Sequence, residues 1–274
     1  MKKFEILRVL NEEKFENLAL WIEEAEFGFS HLRKPISSLD SNANVLEVGC
    51  GSGILLSMFA EEFSEHNFSG IEPFGDGFSG LKELNSAVRQ MGVKLNIEGY
   101  EQYQAQSKYD FIYCVNVFEH VDDWRHFLSW AVNNLKEGGE FFVLCPNYGF
   151  PYEPHFKIPK IFSKKLTYKV FKNYIKNFEQ ENQCLGLWNS LNLVKKSEIT
   201  AYCKEKSSEL NVVMRDDISI VNDMIERLSK DAEFRRRQNV IGKVARILNA
   251  IGVLNLIKKF PYFLPYMKLS FKKT

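Results

Sequence analysis

Residues 45–53 read Val-Leu-Glu-Val-Gly-Cys-Gly-Ser-Gly, an apolar run that stops at three alternating glycines. This pattern predicts a buried parallel strand that turns sharply into a helix. Glycine permits unusual backbone angles at such a turn and lets a ligand approach the main chain without an intervening Cβ. The helix predicted from Ile54 onwards points its free N–H groups at the same place. The stretch therefore predicts a cofactor-binding loop.

Two classes of cofactor-binding loop compete for this pattern. A loop for a nicotinamide or flavin dinucleotide has the sequence G-x-G-x-x-G. Gly49 and Gly51 match its first two glycines, but Ile54 stands at the third position and the third glycine comes one residue early, at Gly53. The next apolar run ends at Glu72, nineteen residues after Gly53. A carboxylate at that strand end can accept both hydroxyl protons of a ribose, and a surface loop acid is the alternative interpretation.

Four segments of the chain, in order and at the right spacing, together resemble the class I S-adenosylmethionine-dependent methyltransferases. The closest likeness is to the type 11/12-like subgroup, whose fourth strand ends in Glu-His-Val. The segments are 46–53, 70–73, 109–121 and 135–143. The resemblance implies a Rossmann-like α/β fold with a seven-stranded, mostly parallel sheet, an antiparallel last strand, three α/β/α layers and helical insertions. The alternation of strands and helices along the chain agrees with right-handed crossovers and a parallel sheet.

The same comparison divides the chain into four parts. They are an N-terminal helical cap at 1–40, a cofactor-binding core at 41–147, an acceptor-side insertion at 148–196, and a completion of the core sheet at 197–274 with a basic amphipathic helical insertion at about 218–258. Strands are predicted near 44–49, 67–72, 94–98, 109–115, 139–145, 210–215 and 266–271. Helices are predicted near 12–27, 29–40, 52–63, 76–91, 123–135 and 197–206.

The resemblance implies S-adenosylmethionine as the cofactor and S-adenosylhomocysteine as the product. Glu72 then takes the ribose, while Pro73 and Phe74 supply apolar contacts to adenine. Many relatives carry an acidic residue after the third strand that contacts the adenine amine. Alignment places Tyr100 there, beside Glu101, so both residues are candidates for the adenine contact.

The methionine part of the cofactor is assigned to the glycine loop and the end of the fourth strand. Main-chain groups of the loop face this part, the carboxylate of Glu47 lies nearby, and the amide of Asn116 borders it. The residues assigned to these roles are Glu47, Gly49, Cys50, Gly51, Gly53 and Asn116.

Two histidines are candidates for acid–base chemistry. His155 follows the fifth strand, at the open sheet edge where ligands bind in such folds, and Glu153 can orient its imidazole. A hydroxyl acceptor would benefit from such a base, and a loop histidine without chemistry is the alternative. His120 is interpreted as a base near the methyl group or, preferably, as a histidine that orients its loop. Tyr148 and Tyr152 can line the acceptor pocket or simply pack.

Composition and cysteine usage are those of a cytoplasmic enzyme. The 274 residues are 45% apolar, enough for one large core and an appendage. No secretory signal is expected, and the longest uncharged stretch of the apolar tail, 247–257, is far shorter than the ~20 residues that span a bilayer. The five scattered cysteines form no C-x-x-C pair. They predict reduced thiols without a disulfide or zinc site, and no metal site is predicted.

Basic residues are concentrated at the end of the chain. Residues 234–274 hold ten Lys or Arg and no Asp or Glu, whereas the other 233 residues hold 26 basic and 35 acidic side chains. Within this tail, apolar residues from Val240 to Leu254 recur at helical spacing. Such a basic amphipathic helix can lie on an anionic membrane, and packing on the sheet or in a dimer interface is the alternative. Nucleic acid is disfavoured because no binding motif accompanies the charge.

These features predict a methyltransferase whose acceptor is a hydroxyl of a glycan or a lipid-linked intermediate. A small soluble metabolite is the alternative acceptor. A nicotinamide oxidoreductase and a cofactor-binding module without turnover are the alternatives from other classes. The predicted location is the cytoplasm, with peripheral attachment to the inner face of the membrane as the variant that the basic tail suggests.

Overall fold

The computed structural model describes residues 4–12, 15, 17–220, 222, 223, 226 and 260–274. Its strands are β1 Asn44–Val48, β2 Asn67–Ile71, β3 Leu95–Asn96, β4 Tyr109–Val115, β5 Leu135–Pro146, β6 Tyr152–Glu153, β7 Ile158–Pro159, β8 Val212–Asp216 and β9 Tyr266–Lys273. Its α-helices are α1 Glu5–Glu12, α2 Leu18–Ser37, α3 Ile54–Glu62, α4 Lys82–Gln90, α5 Trp124–Asn134, α6 Lys164–Glu181, α7 Leu187–Ser190, α8 Lys196–Glu205 and α9 Ser207–Leu210.

Seven strands form the central sheet in the order β3-β2-β1-β4-β5-β9-β8. The pairs from β3 to β5 are parallel, and β9 is antiparallel to both of its neighbours. The predicted seven-stranded, mostly parallel sheet with an antiparallel last strand is therefore confirmed. Because parallel strands end at one edge, the carboxyl ends of β1, β2 and β4 lie side by side.

The sheet separates two apolar layers because successive side chains of a strand point to opposite faces. In β4, Phe111 and Tyr113 pack with the layer formed by α1 to α4. Ile112 and Cys114, which alternate with them, pack with the layer formed by α5, α8 and α9. This alternation of apolar side chains on both faces explains why the strand reads as a continuous apolar run.

The N-terminal helices differ from the prediction. Instead of helices at 12–27 and 29–40, the chain forms the short α1 and then the single 20-residue α2. The helix continues through Gly28, where an added Cβ would lie 2.7 Å from Cδ2 of Leu55 in α3. The glycine therefore lets α2 pack closely on α3, and it does not mark a break. The helix predicted at 76–91 is also shorter, since α4 begins after Gly77 (φ 88°) and a 3₁₀ turn at Ser79–Leu81.

The segment after β5 forms a small unit over the open edge of the sheet. It consists of the β6–β7 hairpin, α6 and α7. It has its own apolar cluster, which includes Phe156, Ile175 and Trp188. The unit also lies close to the loop after β2, because a Cβ on Gly77 would be 3.1 Å from the backbone Cα of Leu187.

The C-terminal prediction is tested only in part. Strands β8 and β9 form at the predicted places, whereas most of the helical stretch predicted at about 218–258 lies outside the described residues. Within the described part of the chain, no helix combines the length and apolarity needed to cross a membrane. All five cysteines carry free thiols.

Candidate active site

One large cavity opens at the carboxyl ends of the central strands. Its volume is about 1130 Å³. The glycine loop and the residues after β2 and β4 line one part, and the unit after β5 lines the other. Side chains of α2, including Leu20, Trp21 and Glu24, line the cavity from the N-terminal side. The cavity thus joins three regions that are far apart in the sequence.

Hydrogen bonds with the main chain of β2 and with a side chain of α4 hold the glycine loop in place. The N–H groups of Gly49 and Cys50 both donate to the carbonyl of Ile71, at 2.8 and 3.1 Å. Gly49 has φ 70°, and an added Cβ there would lie 2.3 Å from Cγ2 of Val117. The buried amide of Asn85, on α4, donates to the carbonyl of Gly51 at 2.7 Å. The sequence gives no signal for Asn85, because this contact spans 34 residues.

Glu72 is held at the end of β2 by two backbone donors. Oε2 accepts from the N–H of Gly51 at 3.0 Å, and Oε1 accepts from the N–H of Phe74 at 2.7 Å. Burial raises the pKa of this carboxyl, and the two backbone bonds oppose that effect. Each carboxylate oxygen has a second lone pair, so both oxygens can still accept a hydroxyl proton from the cavity.

Glu47 lies deeper, on β1, and lines the same end of the cavity. The hydroxyl of Tyr113 donates to its Oε2 at 3.0 Å. Burial raises the pKa of Glu47 to about 8, while the bond from Tyr113 acts in the opposite direction and the charge of Glu72 adds to the rise. A cationic ligand group beside Glu47 would stabilise its ionised form.

Asn116 borders the cavity just beyond β4, with φ 55°. Its amide donates to Oε2 of Glu24 at 2.9 Å, and the hydroxyl of Tyr266 donates to its Oδ1. Sequence reasoning missed Glu24 and Tyr266, which are 92 and 150 residues away from Asn116. Neither contact has a local sequence signature.

The residues predicted near adenine are only partly brought together. Pro73, Tyr100 and Glu101 line the cavity, and the hydroxyl of Tyr100 lies 3.3 Å from Nδ1 of His126. Phe74 is buried behind Glu72 and does not line the cavity. Gly53 also lies outside the cavity lining, at the N-cap position of α3 with φ 78°.

The groups at this end fit S-adenosylmethionine. The site offers Glu72 for hydroxyl donors, Glu47 for an ammonium group, and a main-chain approach at Gly49 and Gly51 where no Cβ intervenes. At Gly51 an added Cβ would meet Cδ1 of Leu81 at 3.4 Å, an ordinary distance. The fit therefore rests on two carboxylates and an open glycine backbone.

At the other end of the cavity, His155 is fixed by Glu153. Nδ1 of His155 lies 2.7 Å from Oε1 of Glu153, which also accepts from the hydroxyl of Tyr148 at 3.0 Å. Burial lowers the pKa of His155, but the charge and hydrogen bond of Glu153 outweigh it and raise the pKa overall. His155 and Tyr152 line the cavity, whereas Tyr148 and Glu153 are fully buried behind them. Tyr148 and Glu153 therefore do not face the cavity themselves; they position His155, which does.

Glu119 and His120 lie next to His155. Glu119 is fully buried, and burial raises its pKa to about 7, against the influence of the charge on His155. His120 lines the cavity, and its Nδ1 lies 2.9 Å from Oγ of Ser190. Burial lowers the pKa of His120 well below its usual value, and the nearby charges of His155 and Lys164 add to this. Sequence reasoning did not propose a role for Glu119.

Among the protein sequences that resemble this chain, two match it over different lengths. An uncharacterized protein of Mycobacterium tuberculosis is 30% identical over 218 residues, which are 78% of this chain and 73% of that protein. A ubiquinone biosynthesis O-methyltransferase of Rickettsia felis is 28% identical over 143 residues, 46% of this chain and 57% of that enzyme.

A solved structure and a family model complete the comparison. The plantazolicin methyltransferase BpumL, solved in complex with S-adenosylhomocysteine, covers 93% of this chain and 83% of its own, with 11% identity and a TM-score of 0.50. At this identity the likeness shows the fold alone. A family model described as "Methyltransferase domain" matches residues 21–188, more than half of the chain. The chain therefore belongs to the methyltransferase domain family, and the predicted resemblance to class I S-adenosylmethionine-dependent methyltransferases is confirmed.

Proposed function

We propose that this methyltransferase acts on a hydroxyl oxygen of a glycan or a lipid-linked intermediate. The observation that carries the proposal is the His155–Glu153 pair, 2.7 Å apart, in the same cavity as the glycine loop. A hydroxyl is a poor nucleophile until its proton is withdrawn, and a positioned acid–base group contributes about 10²–10⁴-fold to such a step.

The cofactor is S-adenosylmethionine, which when bound supplies a methyl group on a positively charged sulfur. The chain's own residues position the reactants. Glu72 accepts from ribose hydroxyls, and Glu47 pairs with the ammonium group. Glu72 is set in place by the N–H groups of Gly51 and Phe74, so its oxygens are oriented before the ligand arrives. Holding two reactants in line removes much of the barrier to such a transfer.

His155 is the side chain that activates the acceptor hydroxyl. Glu153 accepts from its Nδ1 and from the main-chain N–H of Phe156 at 2.6 Å, which fixes the loop and the ring together. With Nδ1 engaged, Nε2 remains available to the acceptor. The O-methyltransferase activity in the name of the Rickettsia felis relative supports an oxygen acceptor.

The lining beyond His155 supports a carbohydrate acceptor. Four polar side chains from the segment after β5 line this end of the cavity: Asn182, Gln183, Asn189 and Ser190. Amides and hydroxyls both donate and accept hydrogen bonds, which suits the hydroxyl groups of a sugar.

The outer surface of α6 supports a lipid-linked acceptor. Leu166, Val170 and Tyr174 are exposed at four-residue spacing along α6, and Phe162, just before the helix, is 92% exposed. Exposed lysines accompany this apolar row: Lys165, Lys169, Lys172 and Lys176. An apolar row with cationic side chains beside it is typical of a helix that lies on an anionic membrane surface. Such a surface would bring a lipid-linked acceptor to the cavity that the same unit lines.

The test is an acceptor screen with S-adenosylmethionine carrying a labelled methyl group. We expect label on glycans or lipid-linked glycans, and we expect His155→Ala to lower turnover about 10²–10⁴-fold without changing S-adenosylhomocysteine affinity. Glu83→Ala, at an exposed residue of α4 outside the cavity lining, is the control. Labelling restricted to small soluble metabolites, or full turnover by His155→Ala, would contradict the proposal.

A further inference from the structure

Three side chains at the acceptor end converge on one point. Oε1 of Glu119 lies 3.9 Å from Nε2 of His120 and 3.9 Å from Nε2 of His155. The two imidazole rings are edge to face, with centroids 5.0 Å apart. One atom from each residue, two nitrogens and one oxygen, lies within 4.8 Å of the others. Such a set can surround a metal ion.

The converging atoms lack hydrogen-bond partners. Among the described residues, neither carboxylate oxygen of Glu119 nor Nε2 of His120 is hydrogen-bonded, although all three atoms are buried. A buried polar atom without a partner is costly, and a buried carboxylate more so. The distance of 3.9 Å is too long for a hydrogen bond between Glu119 and either ring. A cation placed between the three residues would give partners to Nε2 of His120 and to one carboxylate oxygen of Glu119.

Nδ1 of His120 and Nδ1 of His155 each have a hydrogen-bond partner, and these partners determine which ring nitrogen carries the proton. Oγ of Ser190 donates to the carbonyl of Leu187 at 2.9 Å, so it accepts from Nδ1 of His120. Glu153 accepts main-chain N–H groups on both oxygens, at 3.2 and 2.6 Å, so it accepts from Nδ1 of His155. With both Nδ1 atoms donating, each Nε2 presents a lone pair when its ring is neutral, which is the form that a bound metal ion stabilises. Metal-binding histidines usually carry such a partner on the other nitrogen.

We propose that Glu119, His120 and His155 bind a divalent transition-metal ion of the Zn²⁺ type. Two imidazole nitrogens and one carboxylate oxygen are a ligand set typical of catalytic zinc. Metal–ligand distances of about 2.0–2.2 Å in a tetrahedral site place ligand atoms about 3.4 Å apart, so each 3.9 Å separation would shorten by about half an ångström on binding.

The position of the site gives the ion a role, and this role depends on the proposed function. His120 and His155 line the cavity while Glu119 lies beneath them, so the remaining coordination position faces the acceptor. An oxygen bound to Zn²⁺ loses its proton near neutral pH. The coordinated hydroxyl would release its proton to water and remain on the metal as an alkoxide. His155 would then activate the acceptor through the ion it holds.

The test is metal binding by the full-length, tag-free protein after treatment with a chelator. We expect calorimetry with ZnCl₂ to give one equivalent per chain with Kd below about 1 μM. We expect Co²⁺ in the same site to give the visible absorption of a low-symmetry complex. Glu119→Gln, which keeps the size of the side chain, should weaken Zn²⁺ binding more than 100-fold. Ser190→Ala, which removes only the partner of His120, should weaken it about 10-fold.

The control is Glu83→Gln, the same substitution at an exposed residue of α4 outside the cavity lining, which should bind Zn²⁺ as the unmodified protein does. S-adenosylhomocysteine binding by each variant reports whether the fold and cofactor site are intact. If the unmodified chain binds S-adenosylhomocysteine but takes up no Zn²⁺ or Co²⁺, the inference is wrong and the proposed function stands. The inference is also wrong, and the proposed function again stands, if Glu119→Gln binds Zn²⁺ with the affinity of the unmodified chain. If one Zn²⁺ binds but no hydroxyl acceptor is methylated, the metal site stands and the proposed acceptor is wrong.

Discussion

Glu47 illustrates how burial controls the charge of a single ligand-facing residue. Its folded-state pKa of about 8 lies above the value of 4.5 that it has when exposed. Between these pH values the unfolded chain has lost the proton that the folded chain keeps. The free energy of unfolding contributed by Glu47 is therefore greatest below pH 4.5 and falls as pH rises towards 8.

We predict that Glu47→Gln raises the melting temperature of the ligand-free protein at pH 8 by several degrees. The amide cannot ionise, and its oxygen still accepts from the hydroxyl of Tyr113. The difference between variant and unmodified protein should shrink as pH is lowered towards 4.5. Thermal unfolding followed across this range checks the prediction, and an equal melting temperature at pH 8 would contradict it.

The same residue links pH to ligand affinity. An ammonium group beside Glu47 favours its ionised form, so binding of S-adenosylhomocysteine should release a proton at pH 7. We expect affinity to increase between pH 6 and 8 in the unmodified protein. Glu47→Gln should bind more weakly and lose this pH dependence. Calorimetry in two buffers of different ionisation enthalpy measures the proton release directly, and affinity that is independent of pH would refute this role of Glu47.

Individual site residues could be predicted where a strand end marks them. Glu47 and Glu72 belong to apolar runs that stop at the sheet edge, and the structure places both at the cavity. Asn85 gave no such signal, and Glu119, although it belongs to the Glu-His-Val segment after β4, was assigned no role. Asn85 acts through a contact 34 residues away, and Glu119 faces a histidine 36 residues further along the chain. These roles depend on contacts between residues far apart in the chain, and a single sequence does not show which distant residues come together.

The turn between β1 and α3 determines the shape of the cofactor end. Its glycines adopt left-handed backbone angles, and Gly49 also approaches Val117 too closely for any side chain. Glycine is the residue that tolerates both conditions without strain. The turn therefore both connects β1 to α3 and forms part of the cavity lining.

We predict that Gly49→Ala destabilises the protein by about 2 kcal/mol or more and abolishes S-adenosylhomocysteine binding. The added Cβ would lie 2.3 Å from Cγ2 of Val117. Gly92→Ala is the matched control, because Gly92 also has a left-handed φ (90°), lies outside the cavity lining, and its Cβ would meet nothing within 4 Å; it should cost only about 1 kcal/mol and leave ligand binding unchanged. Urea unfolding and ligand titration of both variants provide the measurement; ligand binding by Gly49→Ala comparable to that of the control would show the turn to be adaptable.

Helices and strands of the core were predictable because each carries a local pattern. The apolar run at β4 marks a strand buried on both faces, and Asp123 caps α5 by accepting from the N–H groups of Arg125 and His126. The N-terminal prediction was wrong because it ended one helix at residue 27 and began another at residue 29, whereas α2 runs continuously through Gly28. Only its contact with Leu55 shows that the glycine serves close helix packing.

The molecule as a whole is strongly polarised in charge. Residues 234–274 carry ten basic and no acidic side chains, while the rest of the chain carries an excess of nine acidic ones. Together with the lysines beside the apolar row of α6, this favours contact with an anionic surface. We propose that the protein binds peripherally to anionic membranes, where a lipid-linked acceptor would be found.

We predict that the full chain floats with anionic vesicles and not with neutral phosphatidylcholine vesicles. Binding should decrease sharply at high salt, since screening weakens the attraction between exposed charges. Replacing Arg235, Arg236 and Arg237 by Gln should reduce it, and replacing Val170 and Tyr174 by Ser should reduce it further. Equal recovery with neutral and anionic vesicles, or no recovery with either, would rule out the membrane proposal.

The activity of this chain depends on binding of S-adenosylmethionine in the cavity at the glycine loop, and we assign the principal contact to Glu72. Calorimetric titration with S-adenosylhomocysteine tests it most directly, using the unmodified chain, Glu72→Ala, and Glu83→Ala as an exposed control on α4. We predict a Kd on the order of micromolar for the unmodified chain and the control. Glu72→Ala should bind at least about 100-fold more weakly, because charge-assisted hydrogen bonds to the ribose are lost. Unchanged affinity in Glu72→Ala would show that Glu72 does not hold the ribose, and no binding by the unmodified chain would show that the cavity is not the cofactor site.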